Sequence, residues 1–379
     1  MEIKPYLELM VKRGASDLFF SVGRPPTLKI HGTLYPVGEK PLTFGQTEGL
    51  IESLMPESRI VEFHQTHEAN FAYAEEGIGR FRVSAFFQKD TPGVVLRYIV
   101  SDIPTVEELA LPEQLNDIAM IKRGLVLLVG ATGTGKSTTL AAMVGYRNKN
   151  SAGHILCIED PIEYIHEHDQ CIVNQREVGI DTESYEVALR NCLRQAPDVI
   201  LIGEVRTREA MDQAIVFAET GHLCIATLHS NNANQALDRI INFFPEDRHS
   251  QLLLDLSLNL KAIIAQQLIP RADHKGLVPA VEILLNTPYA SDLIRRGEVH
   301  EIKDLMKRSQ EQGMVTFDQA LVKLFLEEKI SYENALRFAD SANDVRLMIK
   351  LSGKGGAFGD GGFELNEEEM DEDMGPFAG

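Results

Sequence analysis

The sequence predicts an α/β protein: a mainly parallel sheet covered by helices on both faces, preceded by a smaller α/β unit. Three observations carry this expectation. Gly124 to Leu140, GLVLLVGATGTGKSTTL, runs a short apolar strand into a glycine-rich loop and then into a helical pattern. From there to Thr227, apolar runs alternate with helices, as strands do when they lie parallel between helical layers. At 379 residues the chain is also long enough for two folded units that each bury a core.

In the first hundred residues, Ser16 to Ser21 and Thr27 to Ile30 read as strands around Pro25 and Pro26, and His31-Gly32 turns the chain toward Leu34 to Val37. Gly45 to Met55 and Pro56 to His67 read as helices, with Pro56 in the first turn. Strands follow at Asn70 to Ala74, Arg80 to Phe87 and Gly93 to Val100. In the middle one Phe81, Val83, Ala85 and Phe87 share a face, and Arg80 and Arg82 point the other way. Those two arginines suit a solvated face as well as a functional one; Arg97, inside the apolar run Val94 to Ile99, is harder to read as a bystander. Ser101 to Lys122, with Pro104 and Pro112, reads as a linker that becomes a leading helix.

Beyond the glycine-rich loop, Ile155 to Ile158, Cys171 to Asn174, Val199 to Ile202 and Leu223 to Thr227 are strand candidates. Helices are predicted near Thr182 to Arg194 and Arg208 to Thr220. The second has Thr207 as N-cap, a stripe of Met211, Ala214, Ile215 and Ala218, and Gly221 just past its end. From about Pro245 the pattern is helical apart from Leu277 to Leu285. Thr316 and Gln319 make a capping-box pattern ahead of Phe317, Ala320, Leu321, Leu324 and Phe325. Ser352 to Gly379 is Gly-rich and then acidic, with too little apolar surface to offset the entropy of ordering, and is predicted to be a disordered tail.

Composition narrows the function. Apolar content of 44% and charge of 25% are those of an ordinary globular protein. Apolar runs such as Leu125 to Val129 are too short to span a bilayer, and the N-terminus lacks a signal-peptide apolar core, so the expectation is a cytoplasmic chain without a transmembrane segment. Cys157, Cys171, Cys192 and Cys224 are scattered, which supports neither a structural zinc site nor a disulfide framework. The formal charge is −19, and it is still −11 without the eight acids of Asp360 to Gly379. Nucleic acid is therefore disfavoured as a partner, since duplex binding rests largely on Lys and Arg neutralising phosphates.

The chemistry centres on Gly130, Gly135, Lys136 and Ser137, which fit G-x-x-x-x-G-K-[ST]. In this pattern the backbone N–H groups of Gly130, Ala131, Thr132, Gly133, Thr134, Gly135, Lys136, Ser137 and Thr138 turn inward around phosphates. Lys136 reaches the β/γ oxygens and Ser137 holds Mg²⁺, while the helix that follows adds its positive end. Phosphoanhydride hydrolysis also needs an acid to orient water and positive charge where the transition state becomes more negative. The run ending at Ile158 delivers Glu159, Asp160, Pro161, Ile162 and Glu163 to a strand end; carboxylates paired beside phosphates call for a cation, and Glu163 is the candidate water-positioning base. Val199 to Ile202 ends in Gly203-Glu204, with Glu204 expected to reach the metal through water. TGHLCIATLHS places His222 before one strand and His229 after it. An acid at a strand end is often only a solvated loop residue, and a lone histidine is more often structural. What lifts these residues is their shared position, downstream of the phosphate loop at strand ends.

Four segments together carry a family resemblance: GATGTGKSTT at 130 to 139, IEDPIEYIH at 158 to 166, LRQAPDVILIGEVR at 193 to 206 and TGHLCIATLHS at 220 to 230. They resemble the Walker A, Asp box, Walker B and His box of secretion ATPases, nearest to type IV pilus retraction ATPases of the PilT/PilU group. ASDLFFSVGRPPTLKIHG and GRFRVSAFFQ are similar to that family's PAS-like domain. The resemblance implies a PAS-like domain over 1–100, a linker over 101–122, a RecA-like ATPase domain with C-terminal helices over 123–351 and the tail at 352–379. It implies ATP and Mg²⁺ as cofactors, Lys136 and Ser137 on nucleotide and metal, Glu163 as catalytic glutamate and Glu204 as Walker B acid. His222 and His229 would be interdomain or phosphate sensors, and Arg80, Arg82 and Arg97 would approach nucleotide, across a subunit boundary in a homohexamer. Implied partners are a PilT-type retraction ATPase and the inner-membrane pilus platform protein, which places the chain at the cytoplasmic side of that membrane. The missing tetracysteine element separates the chain from the assembly and type II secretion branch. Where PilT-type motors carry a segment like AIRNLIRE, Tyr289 to Arg296 reads YASDLIRR; with the acidic tail this points to the PilU branch, an accessory motor. Two other expectations follow: a module that docks on a partner ATPase with secondary hydrolysis, and, resting only on the shared core, a DNA translocase.

Overall fold

The structure, a computed structural model, describes residues 1–352; apart from Ser352, the predicted tail lies outside them. The chain divides into two compact units, one of residues 1–268 with 277–316 and one of residues 269–276 with those from 317 on.

The first unit opens with α1 (Lys4–Lys12), β1 (Asp17–Ser21), β2 (Thr27–Ile30), β3 (Thr33–Pro36), α2 (Phe44–Ser53), α3 (Glu57–Thr66), β4 (Glu68–Glu75), β5 (Gly79–Gln88) and β6 (Thr91–Ile99). These six strands form an antiparallel sheet in the order β3-β2-β1-β6-β5-β4. Phe81, Val83 and Ala85 turn inward on β5, as period-two spacing requires, and bury with Leu7 and Met10 of α1, Leu50 and Ile51 of α2 and Phe63 of α3. Thr43 caps α2 in a reciprocal capping box with Gln46. The sequence reading had no helix at α1, whose nine residues bury only Leu7 and Met10. It also placed Pro56 inside the first turn, whereas Pro56 is the extended residue that precedes α3.

The chain continues through α4 (Gln114–Ala119), β7 (Gly124–Val129), α5 (Lys136–Asn150), β8 (Gly153–Glu159), β9 (Cys171–Glu177), α6 (Tyr185–Cys192), β10 (Val199–Ile202), α7 (Arg208–Glu219), β11 (Leu223–Leu228), α8 (Ala233–Asn242), α9 (His249–Asn259), β12 (Leu260–Pro270), β13 (Leu277–Leu285), α10 (Pro288–Arg296) and α11 (Ile302–Arg308). A seven-stranded sheet results, in the order β13-β12-β7-β11-β10-β8-β9, with parallel pairing from β12 through β9. Every residue of β7, β10 and β11 is buried, which is why these strands read as unbroken apolar runs. Val126, Leu128, Cys157, Leu201 and Ile225 meet Leu115 and Ile118 of α4 and Leu140 and Met143 of α5. The alternate side chains point to the opposite face, where α7 packs on β7 and β11.

One expectation fails here. The pattern from about Pro245 reads as mostly helical, but residues 260–270 form β12, which lies between β13 and β7 in the sheet. Ala262 to Ala265 are all fully buried, so no polar alternation marks the strand and its apolar spacing also suits a helix.

In the second unit, residues 269–276 pack with α12 (Phe317–Leu326), α13 (Tyr332–Arg337) and α14 (Ala342–Leu351). The N–H of Ala272 donates to Lys329 O at 2.9 Å, and Asn334 Nδ2 to Pro270 O at 3.0 Å. The stripe Phe317, Ala320, Leu321, Leu324 and Phe325 is buried as its spacing predicted. Among the described residues no helix is long and apolar enough to cross a membrane, and all four cysteines are free and buried.

Candidate active site

The carboxyl ends of β7, β8, β10 and β11 open into a cavity of about 460 Å³. Its floor is the loop between β7 and α5. Gly130 has φ 157°, and a Cβ there would meet Thr134 Oγ1 at 2.5 Å and Gln266 O at 2.7 Å; at Gly135, φ 84°, it would meet Gln266 Nε2 at 2.9 Å. Only glycine lets the loop lie this close to β12. Gln266 completes the attachment: Nε2 donates to Thr134 O at 2.8 Å, and Oε1 accepts from Thr139 Oγ1 at 2.7 Å. Thr134 Oγ1 donates to Ala131 O at 2.9 Å. Lys136 Nζ donates to Gly130 O and Ala131 O, each at 2.8 Å. Burial lowers the Lys136 pKa, and the opposing pull comes from Glu204 and Glu163, so both carboxylates act on this ammonium. Thr132, Gly133, Ser137 and Thr138 complete the loop's share of the lining.

The second wall is the segment after β8. Burial raises the Glu159 pKa to about 7, helped by Glu163 and Glu177 and opposed by a hydrogen bond from Gln175. Burial also holds His166 down, at about 4, so its ring stays neutral at neutral pH. Between them the chain crosses a cis Asp160-Pro161 bond and presents Glu163 and Tyr164 to the cavity. The Tyr164 and Thr138 hydroxyls share a hydrogen bond of 2.9 Å, tying this wall to the phosphate loop. Gln175 on β9 clasps the segment in three places: Nε2 donates to Glu159 Oε1 at 3.0 Å and Tyr164 O at 2.8 Å, and Oε1 accepts from His166 N at 2.9 Å.

The third wall is charged. Glu204 follows β10, and its Oε1 meets His229 Nε2 at 2.8 Å while its Oε2 meets Arg206 Nη2 at 2.6 Å. Arg206 also reaches Asp160 Oδ2 at 3.5 Å. Gly203 N donates to Ile158 O and Val205 N to Thr227 O, so β8, β10 and β11 are stitched together where their acids emerge.

Of the residues singled out in the sequence, the phosphate loop, Glu163, Glu204 and His229 converge on this cavity. His222 does not. It precedes β11, at the opposite end of that strand from His229, where its Nδ1 contacts Thr220 Oγ1 and its carbonyl accepts from Gly124 N. Nor do the three arginines line the cavity of their own chain. Arg97 Nε donates to the buried Asp17 at 2.7 Å, Arg82 Nη2 lies 3.5 Å from Glu177 Oε1, and Arg80 Nε is buried without a hydrogen-bond partner. The sequence reading passed over Tyr164, Gln175, Arg206 and Gln266. Tyr164 and Arg206 stand inside the quoted motifs, whereas the two glutamines carry no motif signal.

Residues 2–322 match the family model "Type II/IV secretion system protein". The chain is 64% identical over 357 residues to the type IV pilus ATPase PilU of Pseudomonas aeruginosa, covering 94% of each chain. It is 41% identical to the type IV pilus retraction ATPase PilT of the same organism, covering 88% of this chain and 97% of that one. A crystal structure of the pilus retraction motor PilT with bound ADP superposes with a TM-score of 0.84 at 36% identity, covering 91% of this chain and 98% of the other. With a family model matched over most of its length and relatives 64% and 41% identical across nearly the whole of both chains, the chain belongs to the type II/IV secretion system protein family.

Proposed function

We propose that this protein is a Mg²⁺-dependent ATPase of the pilus retraction motors, of the PilU type, acting in twitching motility. The observation that carries the reading is the convergence of Lys136, Glu163 and Glu204 on one cavity floored by the phosphate loop. Lys136 binds the β/γ-phosphates, exchanging the loop carbonyls for phosphate oxygens, and the N–H groups of 130–138 surround them. Glu163 takes the proton of the attacking water. Glu204, oriented by His229 and Arg206, would help hold the metal from its outer shell.

The residues fit Mg²⁺. Ser137, Glu163 and Glu204 offer oxygen, as a hard cation demands, and the lining holds Glu159, Asp160, Glu163 and Glu204 against only Lys136 and Arg206 as permanent cations. When bound, Mg²⁺ neutralises charge on the β and γ oxygens.

The same charge count supports a homohexamer. Within the chain Arg82 is paired with Glu177 of β9 and Arg97 with Asp17 of β1, and neither lines the cavity, so the extra positive charge for the transition state comes in this reading from a neighbouring subunit's arginines. We assign residues 1–100 to a PAS-like domain, 101–122 to a linker and 123–351 to a RecA-like domain with its helices. Their relative movement during hydrolysis would drive the pilus from the cytoplasmic face of the inner membrane, with a PilT-type motor and the platform protein as partners. The 64% identity to PilU favours this accessory branch over an independent motor. Steady-state phosphate release by the full chain tests the proposal: a rate no higher than that of Lys136→Ala would refute it, and a native mass of six subunits is expected with nucleotide.

A further inference from the structure

Glu177, the last residue of β9, is 4% exposed, and both its carboxylate oxygens are engaged. Oε2 accepts the N–H of Ile162 at 3.3 Å, and Oε1 faces Arg82 Nη2 at 3.5 Å. Ile162 is itself 2% exposed and immediately precedes Glu163. One buried carboxylate therefore spans from β5 of the N-terminal sheet to the backbone beside the candidate base.

Two features make this more than a solvated ion pair. The first is a second tether on the other side of Glu163. Val100, just past β6, forms a parallel bridge with Tyr164, and Ile165 N donates to Val100 O at 3.2 Å. Glu163 is thus bracketed by two links to adjacent strands of the N-terminal sheet, one through a side chain and one through backbone. The second feature is charge. Arg82 lies directly opposite Arg97 on β6, and Arg97 directly opposite Asp17 on β1. Like charges facing each other across strands are unfavourable. Arg97 is compensated by Asp17 at 2.7 Å, and the counter-charge of Arg82 is Glu177. Removing either member of the Arg82–Glu177 pair exposes the other to an uncompensated environment.

We propose that Glu177 is a positioning residue that couples Arg82 of the N-terminal sheet to the backbone carrying Glu163, so that displacement of that sheet repositions the base. The proposal rests on the ATPase reading for its kinetic consequence, but not for its structural one. Glu177 touches no reacting atom; it acts through Ile162. Because Gln keeps an acceptor oxygen for Ile162 N–H and loses the charge facing Arg82, Glu177→Gln separates the two contacts, whereas Glu177→Ala removes both.

The experiment uses the full-length protein with saturating ADP. Hydrogen exchange of the segment 159–165 reports the tether whether or not the protein turns over. Glu177→Ala is expected to speed exchange at Ile162 about 10-fold or more, because a buried amide loses the carboxylate that accepts from it. Glu177→Gln and Arg82→Ala should accelerate it by a smaller and similar factor, and their double variant should add little to either. In hydrolysis assays Glu177→Gln should lower kcat about 10-fold and leave KM for ATP within about threefold, a split that general loss of structure does not give. Exchange at the parent rate in Glu177→Ala and in Arg82→Ala overturns the proposal, as does a double variant whose effects simply multiply. If Glu177→Ala does not fold, Arg82→Ala and Glu177→Gln carry the same test. A parent protein that fails to hydrolyse ATP would refute the proposed function and leave the exchange result to judge the coupling.

Discussion

Glu204 Oε1 lies 2.8 Å from His229 Nε2, joining the residue after Gly203 to the one that follows β11. Arg206 occupies the other oxygen, so the carboxylate is oriented from two sides before any ligand arrives.

This orientation bears on metal affinity. Glu204→Gln keeps the shape of the side chain and removes its charge. The Mg²⁺ concentration for half-maximal hydrolysis should rise about 10- to 100-fold, the usual cost of losing an outer-shell partner. Titrating Mg²⁺ at fixed ATP measures this, and an unshifted midpoint would remove Glu204 from the metal's surroundings.

Glu163 faces the cavity and acts electrostatically on Lys136. Glu163→Gln should therefore bind a fluorescent ATP analogue within about threefold of the parent, while hydrolysis falls about 10²- to 10⁴-fold, because a base acts on the transition state rather than on the ground state. Parallel losses of affinity and rate would contradict that role.

Glu159 makes stability depend on pH. Its folded pKa of about 7 lies above the 4.5 of an unperturbed glutamate, so its contribution is fully present below about pH 4.5 and is lost as pH rises through 7. Above that range the buried carboxylate costs the fold about 3 kcal/mol. Glu159→Gln should raise Tm over the parent more at pH 8 than at pH 5. Equal gains at both pH values would show that the group titrates normally.

Gln266 is buried and bonded at both ends of its amide, to Thr134 of the glycine loop and to Thr139 of α5. Gln266→Leu leaves the Thr139 hydroxyl and the glycine loop without these partners and should cost about 2–4 kcal/mol. Nucleotide affinity should fall with it. A chemical denaturation curve matching the parent's would show that the loop holds its shape unaided.

The two glutamines mark the boundary of what could be read in the chain. The loop lysine and the acids at β8 and β10 were legible because their chemistry is tied to spacing and to strand ends. Gln266 was not, since it sits on β12, where burial on both faces erased the alternation that marks a strand. Gln175 stands on a strand that was recognised, but a neutral amide carries no signature of its task. The partners of Arg82 and Arg97 were equally hidden: Asp17 and Glu177 lie 80 and 95 residues away from them in sequence. α1 escaped because two buried side chains in nine residues are too few to establish a period.

The clasp of Gln175 on Glu159, Tyr164 and His166 gives the site an unequal sensitivity to its surroundings. An amide neither titrates nor attracts counter-ions, so the two contacts of Gln175 to the backbone of Tyr164 and His166 do not weaken as salt concentration rises. The opposite wall, with Glu204, Arg206, His229 and Asp160, is held by ion pairs, whose attraction salt screens. Ionic strength thus acts unevenly on the cavity: it loosens the ion-paired groups that must change partners when nucleotide enters and spares the amide contacts of the facing wall.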